Sequence, residues 1–599
     1  MSERLLEAPA PAPTPARRRW DPALVAGAAL ILLQTIVRAG LVLPSYYWSD
    51  DFLHVEMARR VGLTQDFLIR DHNGHLEIGA NLVYWLIGRD LGLSFLPAAL
   101  NLLAMQLVAS CLLLAVLRLL FGRSPWILVP FAGYLFTPLG LTVATWWAAG
   151  LEALPLQIGM LLALLGLVHA VRERSWRWAA VSVAGHAFGL FFWEKAVLIL
   201  PALIAVLLLV EWAGQPLRAR LRGLVRHWRL VSLHALLLAS YLWLYLSVVD
   251  SSRGLSADAT PNPQAVGHTV FRLLLPGLFG GPWTTEGGAN TVFPYVGNLL
   301  ATFFAVLFLA VVAVSVWLRG RRALQAWLLV AGYVGVDLAL VQLGRSDLLG
   351  LIARDPRYVT DALPILAIGF CAAFSGPVVT RRAPVWLLRT AGSTSSALSV
   401  VAFLISSCLL SSFLIAGQLQ HEYSRNYVNG VVGALAKNPD ASVLSTTTPA
   451  NVALMADLSF LLRAVGHEHE FDQPGTDVRM FDSLATLRPV MVVNTRLEAT
   501  GPVQDCGWQV GGAWQRLGTL AGPGPGAQVI QLGYVTGQSA TLHVSVGGHE
   551  QALALQPGLG HAIFVITGQE GRVSARVTDV ADGGICLTDA VAGAPWPAD

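Results

Sequence analysis

Lysine is almost missing from this chain: of 40 basic residues, all but Lys195 and Lys437 are arginine. Such a bias reflects the composition of a genome before it reflects function, so a lysine retained against it is a candidate for a role. Charge of either sign is scarce, at 13% of the 599 residues, and the formal net charge of +3 gives no reason to expect a nucleic-acid partner. Cysteine is also sparse. Of the five, Cys111, Cys371 and Cys408 fall in apolar stretches where they read as small buried hydrophobes, and no CxxC or Cys/His ligand spacing occurs that would signal a zinc site. There is no small-residue cleavage site after the first apolar run, so that run reads as a retained anchor and not as a signal peptide. No internal repeat of the kind that marks secondary transporters stands out.

What is abundant is apolar sequence, 54% of the chain, gathered into runs of a length that crosses a bilayer. Runs near 23–43, 94–117, 126–145, 151–171, 177–192, 196–213, 230–249, 297–318, 323–343, 359–378 and 394–418 predict about eleven spans of a polytopic α-helical membrane protein. Arginines collect in every second gap: Arg17 to Arg19, Arg118 and Arg123, Arg172 to Arg177, Arg218 to Arg229, Arg319 to Arg322 and Arg381 to Arg389. The positive-inside rule makes those gaps cytoplasmic, together with the tail 1–22, and an odd number of spans puts everything after 418 outside. The expected location is the bacterial plasma membrane.

Two outer loops follow from this topology, 44–93 and 250–296. The first carries helix-like stretches near 51–61 and 76–90, the second of them amphipathic enough to lie along the membrane surface. In the other, the polar pieces Asp258 to Pro263 and Gly280 to Trp283 bracket an apolar segment, 265–279, too short to span, which predicts an interfacial or re-entrant helix. Beyond 418 the periodicity changes. Residues 419–500 predict a small α/β connector, and 501–599 a β-sandwich of alternating strands and Gly-rich turns. Cys506 and Cys586 bracket that sandwich, and an oxidising exterior would let them join its first and last strands, worth roughly 4 kcal/mol in the chain-entropy model. Two reduced core cysteines are the competing reading.

Candidate chemistry begins with Asp50 and Asp51, seven residues past the first apolar run in Ser45-Tyr46-Tyr47-Trp48-Ser49-Asp50-Asp51-Phe52. Carboxylates tethered just outside a membrane can act as a base between a lipid-borne and a water-borne substrate. They can equally cap a helix that starts there. In the same loop, His72 and His75 flank a probable turn and could hold a phosphate oxygen or a metal, or simply lead into the surface helix. Glu194 and Lys195 follow Phe191-Phe192-Trp193 at the outer turn between the fifth and sixth runs; an acid and a base at that depth are a site by default, with snorkelling as the alternative. Arg357 and Tyr358 stand before the tenth run. An arginine fork suits a lipid phosphate, and its outer position is not one that topology favours.

With the acidic pair on a long first outer loop, Arg357-Tyr358 followed by Leu363-Pro364 at a late span, and a soluble outer region, the chain resembles the GT-C superfamily of membrane glycosyltransferases. It looks closest to the protein mannosyltransferase, aminoarabinose-transferase and arabinofuranosyltransferase branches. The resemblance covers about 20–420. The oligosaccharyltransferase motif Trp-Trp-Asp is absent, Trp146-Trp147 being followed by alanine, which argues against en bloc transfer to asparagine. What the resemblance implies is transfer of a sugar from a polyprenyl-phosphate carrier to a glycan or protein acceptor of the cell envelope, with inversion at the anomeric carbon. Asp50 or Asp51 would be the general base, Arg357, Tyr358, Lys195, His72 and His75 would surround the phosphate, and Glu194 would support them. No cofactor is required; two carboxylates and two histidines could hold a divalent cation, but their spacing demands none. The sandwich would bind carbohydrate, with Trp508 and Trp514 as candidate contacts or as core. A flippase of lipid-linked sugars and a non-catalytic carbohydrate-binding scaffold are the alternatives.

Overall fold

The structure, a computed structural model, describes residues 21–598 apart from 91, 250–261, 289–290, 345–348, 380–392, 455 and 581–583. The arginine clusters at 17–19 and 381–389, the tail before 21 and most of the Asp258–Pro263 piece therefore lie outside the described residues.

Among the described residues, nine helices are long and apolar enough to cross a membrane, the longest single one being Trp147–Glu173. The two remaining expected runs take shorter forms. Trp176–Phe192 is a helix of 17 residues, and the 196–213 run is divided into a 3₁₀ turn (Glu194–Leu198), an α-helix (Ile199–Val206) and a π turn (Leu207–Glu211). The run expected over 126–145 is likewise interrupted, at Thr137, where Pro138 opens a new turn. Trp147–Glu173 is the centre of the membrane part, apolar on all sides and buried along most of its length. It packs against Trp176–Phe192 through glycine. A Cβ on Gly159 would stand 2.6 Å from the Gly185 carbonyl oxygen and 2.7 Å from the Gly189 nitrogen, so only hydrogen lets the two backbones touch.

Outside the spans, the first loop folds into helices Asp50–Val61 and Ile78–Leu86 with short turns between and after them. In the second loop, the segment too short to span is a helix with a π stretch, Pro263–Leu278, followed by a hairpin of Thr284–Gly288 and Thr291–Tyr295. The helix Glu422–Lys437 and the segment after it pack on the first loop: Ser49 N–H donates to the Val452 carbonyl at 2.9 Å, Ser424 Oγ to the Tyr47 carbonyl at 2.8 Å, and Arg463 pairs with Glu56 at 3.4 Å.

The C-terminal region is a sandwich of two sheets. One is four-stranded and antiparallel, in the order His549–Leu555, Ala540–Val546, Gly571–Thr578, Gln515–Leu520. The other runs Gly558–Val565, Val529–Thr536, Ile585–Pro597, Leu487–Thr500, Val478–Phe481, Ser442–Val443, with Trp508–Val510 alongside Ile585–Leu587. Alternation places Leu542, Val544, Val573, Ala575, Ile530, Leu532 and Phe564 in one core between them. The boundary expected at 500 falls inside a single sheet, because Leu487–Thr500 is long enough to pair with the connector strand Val478–Phe481 at one end and with Ile585–Pro597 along the rest. Cys506 and Cys586 are disulfide-bonded. Trp508 is buried in the sandwich core, whereas Trp514 is 43% exposed beneath the Arg576 guanidinium, which lies 4.8 Å from its ring.

Candidate active site

The turn before Asp50–Val61 is bent at Ser49, whose φ of 49° is a left-handed value that a residue with a side chain holds only when its surroundings impose it. That bend starts the helix at Asp50 and points the two acids in different directions. Both lie in the first turn, where the free N–H groups of a helix favour negative charge.

Asp51 faces inward. Its Oδ2 accepts from Trp48 N–H at 3.0 Å, and its Oδ1 from Ala148 N–H at 2.8 Å and from the Tyr84 hydroxyl at 3.1 Å. The side chain is fully buried, and burial, opposed by those three donors, pushes its pKa up to about 7. It ties the first loop to the start of Trp147–Glu173. Asp50 is partly exposed, and its closest side-chain hydrogen-bond partner is Ser49 Oγ at 3.5 Å. The pair thus divides into one carboxylate committed to the fold and one left open.

Opposite Asp50 stands Arg357. Its guanidinium pairs with Asp355 at 3.0 Å, donates to the Tyr358 hydroxyl at 2.7 Å, and lies 4.5 Å from the Trp146 ring and 4.6 Å from that of Tyr358. The charges of Glu152 and Asp50 also act on it. Trp146 is held in turn by Trp48, edge-on at 4.5 Å, and Trp48 stacks on His421 at 4.9 Å with the rings 4° from parallel. This aromatic series joins the acidic turn, the arginine and the residue before the helix Glu422–Lys437.

Lys195 is placed differently from the phosphate contact expected of it. Its ammonium reaches Asp337 at 2.5 Å, Asp361 at 2.7 Å and the Tyr358 carbonyl at 3.0 Å, which uses all its protons in a buried network. Tyr333 donates to the other Asp361 oxygen at 3.1 Å. Lys195 acts on the site from behind, by fixing the backbone beside Arg357.

His72 and His75 face each other across a tight bridge, each N–H bonded to the other's carbonyl. His75 Nδ1 is 2.6 Å from Glu194 Oε1, joining the first loop to the outer turn that carries Lys195. His72 lies edge-on to His54, 4.5 Å between centroids, and His54 stacks on Tyr84 at 4.6 Å. Polar side-chain atoms of His75, Glu77 and Glu152 lie within 4.8 Å of one another. Burial and the neighbouring Glu152 raise the Glu77 carboxyl well above the usual range.

The structure therefore brings Asp50, Arg357, Tyr358, His75 and Glu194 into one region and sets Asp51 and Lys195 into its walls. Sequence reasoning passed over Glu77, Glu152, Trp146, Tyr84, Asp337 and Asp361. For Glu152 and Asp337 a signal was available, since each is an acid inside an apolar run.

No family model matches the chain, and no curated protein does. Among solved structures, the chain is similar to ArnT from Cupriavidus metallidurans bound to undecaprenyl phosphate, at 14% identity over 75% of this chain and 85% of that one, with a TM-score of 0.43. The apo state of that protein gives the same identity and coverage and a TM-score of 0.40. The arabinofuranosyltransferase AftD from mycobacteria is similar at 12% identity and a TM-score of 0.35, over 96% of this chain but 58% of AftD, less than two thirds of its length.

Proposed function

We propose that this membrane protein is a glycosyltransferase that moves a sugar from a polyprenyl-phosphate carrier to an acceptor hydroxyl of the cell envelope, at the outer face of the plasma membrane. The observation that carries the reading is a carboxylate with little committed to the fold, Asp50, whose charge reaches an arginine held by two aromatic rings and an acid, Arg357.

Asp50 takes the proton of the acceptor hydroxyl. The freed oxygen attacks the anomeric carbon from the face opposite the phosphate, the bond from carbon to phosphate oxygen breaks, and its electron pair leaves on the carrier, so the anomeric centre inverts. The departing phosphate gains charge, and Arg357 meets that charge with a fixed fork of donors. Tyr358 orients the guanidinium, while Asp51 and Lys195 hold the two walls at their spacing. On the sandwich, the half-open Trp514 with Arg576 suits the face of an acceptor sugar.

Purified protein supplied with radiolabelled polyprenyl-phosphate sugars and envelope acceptor tests the reading, with wild type compared against Asp50→Asn. Loss of transfer by a variant that remains monodisperse and unfolds at the wild-type temperature is expected. Transfer at the wild-type rate would remove Asp50 as the base.

A further inference from the structure

The helix Leu217–Arg226 joins the π turn that ends at Glu211 to the span Trp228–Val248, and its 10 residues, about 15 Å, are too short to cross a bilayer. It stands at the opposite end of the membrane part from Asp50. Ala148, which donates to Asp51, and Arg172, which pairs with Glu211 at 2.7 Å, are about 36 Å apart along one helix at about 1.5 Å per residue, enough to cross the hydrocarbon core. One side of the short helix is taken up by the protein itself. Gly223 lies on the Trp212 ring, where a Cβ would come within 3.1 Å of it, and the buried Arg220 donates to the carbonyls of Leu208, Ala213 and Gln215 at 2.8, 2.6 and 2.7 Å. The remaining surface is split in two. At about 100° per residue, Leu217, Leu221 and Val225 form one stripe, 65%, 46% and 70% exposed, and Arg218, Arg222 and Arg226 form the next, also exposed. Among the described residues these three arginines have no ion-pair partner, because Glu211 is held by Arg172 and Glu173 by His169. No acid occurs between Glu211 and Asp250. Trp176 and Trp228, both exposed, open the neighbouring helices, as rings do at a headgroup layer.

We infer that the Leu217–Arg226 helix lies in the membrane interface and binds the phosphate headgroup of an anionic phospholipid, with Arg218, Arg222 and Arg226 on the phosphate and Leu217, Leu221 and Val225 against the acyl chains. The chain enters and leaves this helix through segments at membrane depth, so its apolar stripe adjoins lipid, and an amphipathic helix with arginine beside that stripe is drawn to negative headgroups. The guanidinium fork matches phosphate oxygens in pairs, which a choline headgroup, with its own cation, offsets. The site is independent of the sugar-transfer reading, because it lies at the other end of the spans and needs no substrate.

The test uses the full-length protein in two preparations. In nanodiscs of phosphatidylcholine, with and without phosphatidylglycerol, amide hydrogen exchange over 213–229 is expected to slow when phosphatidylglycerol is present. In detergent, native mass spectrometry is expected to show phosphatidylglycerol bound about 100-fold more tightly than phosphatidylcholine of the same acyl chains, at about fivefold for each of three arginines. Arg218→Gln, Arg222→Gln and Arg226→Gln each remove about fivefold of that preference, and the triple variant removes it all. Raised salt weakens it as well. Soluble glycerol phosphate, which has the anion without the chains, competes only weakly. Equal exchange in the two nanodiscs, which would leave the helix facing water or a protein partner, overturns the assignment. So do equal affinities for the two lipids, a triple variant that keeps the preference, or glycerol phosphate competing as well as the lipid. Because exchange in the wild type decides by itself, a variant that fails to fold does not shield the proposal.

Discussion

Two groups of charges lie close together in this molecule and are built on opposite principles. Around Lys195, one ammonium sits between Asp337 and Asp361 with the Tyr358 carbonyl and the Tyr333 hydroxyl completing the set, all of it buried. Around Asp50, the neighbouring region holds Glu77, Glu152, Glu194 and Arg357, with Asp50 and Glu152 partly exposed. The inner group is closed on itself: its one ammonium is held by both carboxylates and a carbonyl. The group around Asp50 is open, with more acids than cations, and a proton or a hydroxyl would answer that surplus. Charges that satisfy one another make architecture, whereas charges left wanting make a site.

The contrast predicts different consequences for equally small changes. Asp50→Asn should lower transfer by about 10²- to 10⁴-fold, the range for a positioned base, with little change in unfolding temperature. Lys195→Met should do the reverse and destabilise the protein by roughly 3–5 kcal/mol, because it strands two buried carboxylates. Thermal unfolding in detergent reads that loss, and a change under about 1 kcal/mol would mean that the inner group is solvated and its lysine free to meet a phosphate. Arg357→Ala should weaken binding of a polyprenyl-phosphate donor by about 1.5–3 kcal/mol, the range for hydrogen bonds to a charged group. Arg357→Lys should restore only part of it, since an ammonium neither forks nor stacks in the same way.

The smallest effect concerns Asp51. Its carboxyl holds its proton more tightly folded than unfolded, so its burial favours the fold most below the ordinary carboxylate pKa. That contribution is lost as the pH rises to about 7. Wild type should therefore lose stability over that interval, and Asp51→Asn, which keeps an acceptor without the charge, should flatten this part of the profile. An unchanged slope in the variant would place the titration elsewhere.

Much of the plan was legible in the sequence. Arginine in alternate gaps and apolar runs of bilayer length give the membrane part, because both signals arise from the membrane itself and need no tertiary knowledge. Two runs differ in form: Pro201 sits in the 196–213 run, where the helix is divided, and Gly159, Gly185 and Gly189 draw 176–192 against its neighbour. The sandwich was visible as alternation, but its edge at 500 was not, since a strand that serves two partners carries no mark at the point where one gives way to the other. In the site, residue types were legible and commitments were not. Nothing local distinguishes Asp50 from Asp51; the difference is made by Ala148 and Tyr84, distant in sequence, which reach only the second. The same holds for Lys195, whose partners Asp337 and Asp361 lie in other spans.

The strand Leu487–Thr500 has one further implication. Its 14 residues span about 46 Å at roughly 3.3 Å each, without a flexible joint between the connector and the far side of the sandwich. If the proposed function holds, a rigid beam of that length, footed on the helix and turns that clasp the Asp50 loop, would work as a ruler: an acceptor polymer held by the sandwich would meet the Asp50 turn at a set reach, and transfer would depend on acceptor length.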